Sequence, residues 1–343
     1  MNQTRFSVGT LPKGNRNSIT DVPGVRVGHC TLSDGRHETG VTVVLPPCGN
    51  PFLEKMTAAC HVVNGFGKTL GLMQLTELGT LETPIALTNT LNVGRIHDAM
   101  VSYMLELCRR DGVTLTSVNP LVCECNDGLL NDIADRALGE RELRAAIESA
   151  SEDFAEGAVG AGRGMCCHSL KGGIGSASRI VTLDGRDYTV GVLALTNHGR
   201  LSDLRLPGME SFGKGLAGQL ANDAPDKGSC ILVLATDLPL DARQLTRVLR
   251  RCPVGLCRLG SYYGHGSGEL VVGFSTAYPV LQQEQRDIVP RAFLNEKRMD
   301  LPFRAAAEAS EEAVLCSLLA AETVEGFRGK KVGLREYLGE QGE

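Results

Sequence analysis

Short apolar runs with almost no polar interruption constrain this chain more than any other feature. They span residues 41–45, 85–87, 121–123, 190–195, 231–235 and 270–274. A strand that is apolar at nearly every position must be covered on both faces. Helical periodicity supplies the cover. Residues 95–110 carry Ile96, Ala99, Met100, Tyr103 and Leu107 at helical spacing, and Gly112 stops them. Residues 132–149 are rich in Ala, Glu and Arg and read as a helix. Residues 241–251 place Asp241 at the N-cap and Gln244 at N3, with Leu245, Val248 and Leu249 along one face. Residues 302–322 begin with Pro302 in the first turn. Strands and helices are intermixed without linkers or repeats, which predicts one layered α/β domain over 1–343. Residues 155–179 fit neither period and are predicted to form a long Gly-rich loop.

The net charge of −5 argues against nucleic acid as a partner. No run of apolar residues is long enough to span a membrane. The first residues lack the apolar stretch of a secretion signal, so a cytoplasmic location is expected. The twelve cysteines are scattered, several inside apolar runs (Cys123, Cys230, Cys316), and read as free thiols packed as small hydrophobes.

Ser229 opens the 231–235 run directly after Gly228. Gly-Ser occurs four times, at 175, 228, 260 and 266, so the dipeptide alone carries no information. Context separates the one at 228, which follows a polar, Gly-rich stretch and precedes a buried strand. One reading is a turn before a strand. The other is a bond that breaks itself, with Gly228 absorbing backbone strain. Ser229 Oγ attacks the Gly228 carbonyl, an N-to-O acyl shift follows, and hydrolysis leaves Ser229 as a chain terminus. A terminal serine carries its own α-amine, with an ordinary pKa of about 8. It therefore needs no histidine as base.

Three further groups carry paired readings. Ser267 and Glu269 open the next apolar run, either as a solvated strand end or as a pair on one face that relays to Ser229. Asn197 ends a strand, either holding a turn before Gly199 or donating to an oxyanion. In CECNDGLLNDI, Glu124, Asn126, Asp127 and Asp132 form either a turn and helix cap or a carboxylate site for an ammonium group. NGFGKT (64–69) lacks the first glycine of a phosphate loop, since Val62 stands there. Cys123, Cys125, Cys166, Cys167 and His168 lack the paired spacing of a zinc site. His29 has no carboxylate partner by spacing.

Taken in order, several segments resemble the DmpA-type L-aminopeptidase/D-esterase family, which includes the β-peptidyl aminopeptidases. They are NSITDVPGVRVGHCTL, TGVTVVLP, ALTNTLNVG, NDGLLNDI, EGAVGAGRGM, KGGIGSASR, GSCILVLATDLPL and GSGELVVGFST. The likeness runs nearly end to end. It implies a four-layer α-β-β-α sandwich shared with the ornithine acetyltransferases, like the N-terminal-nucleophile hydrolases in layout but differently connected. It implies self-cleavage at Gly228–Ser229 into an α chain, 1–228, and a β chain, 229–343.

Ser229 would then be the nucleophile, Ser267 and Glu269 its supporting pair, Asn197 the oxyanion-binding residue and Glu124 an anchor for a substrate ammonium. The implied substrate is a small peptide, amide or ester that loses its N-terminal residue through an acyl-enzyme. No metal or other cofactor is implied, and the implied assembly is a tetramer of αβ units. This chain departs from some members at Asn126, which stands near where they carry an oxyanion-assisting Tyr. Either its amide donates or the role passes elsewhere, and preference among L-, D- and β-residues stays open. An acyltransferase like ornithine acetyltransferase is the alternative, though that group uses Thr where this chain has Ser229. A scaffold that never matures is the other.

Overall fold

All eight residues of Glu38–Leu45 and all eight of Ser229–Thr236 are buried, so the apolar runs within them are covered on both faces. They are inner strands of two mixed sheets in the computed structural model, which describes residues 6–221 and 224–339. The first sheet runs β1 (Arg26–Ser33), β2 (Glu38–Leu45), β5 (Ile85–Asn89), β6 (Leu121–Cys125). The second runs β4 (Thr80–Leu81), β3 (Glu54–Gly65), β12 (Gly268–Leu281), β11 (Ser229–Thr236), β10 (Arg186–Asn197), β9 (Ile174–Leu183). At its centre β11 pairs with β10 antiparallel and with β12 parallel.

Alternation along β10 and β11 sorts their side chains between two cores. Leu193, Leu195, Ile231 and Val233 join a core that also takes Val44, Leu87 and Cys123 from the first sheet. Val192, Ala194, Cys230 and Leu232 join another, with Leu245, Leu256 and Val314 from the helices Ala242–Leu249, Cys252–Arg258 and Asp300–Ala320. A third core packs the helices Val93–Arg110 and Glu140–Glu148 on the first sheet through Met100, Met104 and Leu143 against Val41 and Val43. Among the described residues, no helix is long and apolar enough to cross a membrane.

The helix after Asp241 forms as the sequence predicts, with Asp241 accepting from the Gln244 N–H in a reciprocal capping box. Two expectations fail. The helix over 132–149 is only Glu140–Glu148. Arg136 takes a left-handed conformation (φ 50°), and residues 136–139 instead meet the preceding helix, where Asn92 donates to the Leu138 carbonyl at 2.7 Å. The 155–179 stretch is not a loop throughout. It contains the short strands β7 (Cys166–Cys167) and β8 (Leu170–Lys171) and the first half of β9. Its small residues lie where the helix Asp300–Ala320 packs directly on the strand. A Cβ on Gly175 would stand 2.1 Å from the Ala313 carbonyl oxygen. Close packing, not flexibility, selects glycine there.

Candidate active site

Three strand ends converge on one point. Asn197 ends β10, Ser229 begins β11 and Gly268 begins β12, and the register sets Asn197 opposite Ser229 and Ser229 opposite Gly268. Ser229 is buried and shares its face of the sheet with Asn197. Across from it stands the Cys125 thiol at the end of β6, near enough for the Ser229 side chain to affect its ionisation. Burial lifts that thiol well above its ordinary pKa, so Cys125 is a neutral neighbour rather than a nucleophile.

The Gly228–Ser229 bond is held from several directions. The Gly268 N–H donates to the Gly228 carbonyl at 3.0 Å. A Cβ on Gly228 would lie 1.7 Å from the Asn197 carbonyl oxygen, so only glycine fits. Gly228 is not among the residues with positive φ, so close approach replaces the expected backbone strain as the reason for glycine. Asp226, which the sequence did not single out, is buried beside this bond. Its carboxylate accepts from the N–H groups of Gly199 at 2.9 Å, Gly228 at 3.5 Å and Gly264 at 3.4 Å. Asp226 thus ties together the chain ahead of the Gly228–Ser229 bond, the end of β10 and the turn before β12.

Ser267 donates its hydroxyl to Glu269, and both are buried. Burial raises the Glu269 carboxyl to about 7, opposed by the Ser267 hydrogen bond and reinforced by the Asp226 charge. Its Oε2 is buried without a hydrogen-bond partner. Among the described hydrogen bonds the Ser267 hydroxyl is given to Glu269 and not to Ser229. Register places Glu269 beside Cys230 and Gly268 beside Ser229, so the pair projects from the sheet face opposite Ser229. Asn64, within the segment set aside as a broken phosphate loop, donates to the carbonyls of Gly264, at 2.9 Å, and Ser267. It fixes the turn that carries Ser267.

Asn197 is bound at both ends of its amide. Its Oδ1 accepts from the Cys166 N–H at 2.8 Å, and its Nδ2 donates to the Asn126 carbonyl at 3.0 Å. A second N–H on Nδ2 remains for another acceptor. Asn126 is exposed, and its side-chain oxygen accepts from the Gly128 N–H at 3.0 Å as the predicted turn. Glu124 is buried, accepting from the Lys68 N–H at 2.8 Å and from the Thr90 hydroxyl. The loop that holds it also borders Gly268, the register partner of Ser229, since a Cβ on Gly268 would lie 2.6 Å from the Phe66 carbonyl oxygen. His29 is structural: Thr42 and Ala155 bind its ring, and burial lowers its pKa to about 4. Of the residues considered for zinc, Cys167 and His168 do come together, with His198 as the third member.

The family model of peptidase family S58 matches residues 17–332. This chain belongs to peptidase family S58. It is an N-terminal-nucleophile aminopeptidase, a hydrolase of peptide bonds. The S58 chain is 37% identical to the β-peptidyl aminopeptidase BapA of Sphingosinicella xenopeptidilytica, over 93% of this chain and 84% of that one. It superposes on the PH0078 protein of Pyrococcus horikoshii OT3 with a TM-score of 0.91 at 46% identity, covering 97% and 96% of the two chains. It superposes on the L-aminopeptidase D-Ala-esterase/amidase of Ochrobactrum anthropi with a TM-score of 0.87 at 32% identity, covering 96% of each. That protein is a prototype of the serine aminopeptidases and a variant of the Ntn hydrolase fold.

Proposed function

We propose that Ser229 cuts the chain at its own N-terminal side and then removes the N-terminal residue from small peptides, amides or esters. The hydrogen bond from the Gly268 N–H to the Gly228 carbonyl carries this reading. In the uncleaved chain that donor polarises the carbonyl next to Ser229. Ser229 Oγ adds to the Gly228 carbonyl carbon, the C–N bond breaks, and the Ser229 nitrogen takes a proton. Water then hydrolyses the ester, which releases a carboxylate on Gly228 and restores the Ser229 hydroxyl beside the amine freed by the shift. The vacated carbonyl position beside Gly268 becomes the place for a substrate carbonyl, so one donor serves both reactions.

In the mature enzyme the new amine takes the proton from Ser229 Oγ and returns it to the leaving group. The Ser267–Glu269 pair flanks Gly268 on the adjacent strand and sets the field around that amine. The second N–H of Asn197 and the Gly268 N–H stabilise the oxyanion. Glu124, through the Phe66–Lys68 loop, borders the site as the carboxylate for a substrate ammonium. The two sheets and three cores support a four-layer α-β-β-α sandwich over one domain, cut into 1–228 and 229–343. Relatives named as β-peptidyl aminopeptidases and L-aminopeptidases support small amino-terminated substrates. All twelve cysteines are free, which supports a reducing, cytoplasmic compartment. A tetramer of αβ units is the assembly we expect.

Intact-mass measurement tests the reading. The purified protein should give chains of 228 and 115 residues, and Ser229→Ala should stay whole and inactive. An active, uncut protein would overturn it.

A further inference from the structure

On the sheet face opposite Ser229, three ligating side chains meet. Cys167, His168 and His198 each place one donor atom within 4.8 Å of the other two, and all three are buried. Cys167 packs in the core with Cys230, whereas Cys125, which stands across from Ser229, packs in the core between the sheets. The trio therefore stands apart from the nucleophile.

The imidazoles are prepared as ligands. His168 Nδ1 donates to the Arg200 carbonyl at 2.7 Å, which leaves the lone pair on Nε2. That Nε2 is buried without a hydrogen-bond partner, and so is Nε2 of His198. Native proteins seldom leave buried polar atoms unsatisfied, and here both rings of one cluster carry such an atom. His198 Nδ1 lies 4.0 Å from Cys167 Sγ. Space for the ring of His168 comes from Gly199 (φ 89°), where a Cβ would stand 2.4 Å from Cε1. Both rings are buried. The Asp226 carboxylate is near enough to favour positive charge on both.

We propose that Cys167, His168 and His198 form a binding site for one thiophilic divalent ion, zinc(II) or its spectroscopic substitute cobalt(II). Zinc bonds of about 2.0–2.3 Å require the donor atoms to close to within roughly 4 Å of one another, a shift of less than about 1 Å. The Cys167 thiol gives its proton to solvent as the sulfur–metal bond forms. The resulting thiolate and the Asp226 carboxylate offset the two positive charges. The ion has no place in the acyl-transfer chemistry. It would clamp the Cys166–His168 segment to the end of β10, next to the two groups that hold the Asn197 amide.

Because the site is buried, the ion enters as the chain folds. The test uses protein produced in zinc- or cobalt-supplemented medium, with metal content measured by elemental analysis. We expect one ion per chain and, for cobalt, a thiolate-to-metal charge-transfer band. Cys167→Ala should lose the ion and the band, and His168→Gln should lower the metal content several-fold. Cys257→Ala, at an exposed cysteine, should retain both. Metal content at background in the parent protein would overturn the proposal. So would full occupancy in Cys167→Ala, with folding checked by circular dichroism. Repeating the measurement in Ser229→Ala separates the two readings, since metal binding there does not depend on self-cleavage.

Discussion

The carboxylate of Asp226 accepts the Gly199 N–H at 2.9 Å, and this contact joins the segment before the scissile bond to the residues just after Asn197. The same side chain receives the Gly264 N–H from the turn that leads to Ser267. Removing it would free three backbone N–H groups at once and loosen the strand ends that aim Ser229 at Gly228. Each lost hydrogen bond to a charged acceptor is worth about 1.5–3 kcal/mol. Asp226→Ala should therefore slow self-cleavage by at least about 10-fold, while Asp226→Asn keeps one acceptor and loses less. The time course of the two fragments after synthesis measures this. A cleavage rate equal to the parent's in Asp226→Ala would remove Asp226 from the geometry of processing.

Glu269 makes stability depend on pH. Burial raises its folded carboxyl from the ordinary value of 4.5 to about 7, so the folded state binds the proton more tightly than the unfolded state. Its contribution is full below the unfolded pKa and declines as pH rises from about 4.5 through about 7. The decline is on the order of 3 kcal/mol. Asp127, also raised, to about 6, titrates in the same window, so the comparison must be between variants. In a Ser229→Ala background, Glu269→Gln should flatten this part of the profile and be more stable than its parent at pH 8. Denaturant titrations at pH 5 and pH 8 decide it, and parallel profiles would show that Glu269 does not titrate as stated.

Much of the fold is legible in the sequence because its strands are apolar without interruption. β2, β5, β6, β10, β11 and β12 all announce themselves by needing cover on both faces. β9 does not, because its Gly, Ala and Ser positions are small to admit a helix backbone, and smallness reads as a loop. Of the site, Ser229, Asn197 and the Ser267–Glu269 pair are marked by their places at strand ends. Asp226 and Asn64 carry no such mark, since only the paired strands bring a lone Asp and a lone Asn to the same turn. The separation of Ser229 from the Ser267–Glu269 pair follows from register, and register is not visible before the strands are ordered.

Asn197 holds the Cys166 N–H and the Asn126 carbonyl, and the proposed oxyanion role separates from that structural one by experiment. Asn197→Ala leaves the Cys166 N–H and the Asn126 carbonyl without partners, at about 1–3 kcal/mol for each group. It should lower the thermal midpoint for that reason alone. If the second amide N–H also serves the oxyanion, kcat should fall by roughly 10²–10³ with KM little changed, measured well below the lowered midpoint. A lowered midpoint with unchanged kcat would confine Asn197 to holding Cys166 and Asn126 in place.

Glu124 offers the sharpest test of substrate class. Its carboxylate accepts from the Lys68 N–H and the Thr90 hydroxyl, and Gln at this position keeps the shape and one of the two acceptor oxygens while removing the charge. An ammonium held by Glu124 in both ground and transition states contributes uniform binding, so its loss appears in KM more than in kcat. Glu124→Gln should therefore raise KM for a free-amine aminoacyl anilide by about 10-fold or more, the equivalent of about 1.4 kcal/mol. The effect should disappear for an ester substrate that lacks the amine. An equal rise in KM for both substrates would mean that Glu124 acts by holding the Phe66–Lys68 loop against Gly268, and the ammonium would need another partner.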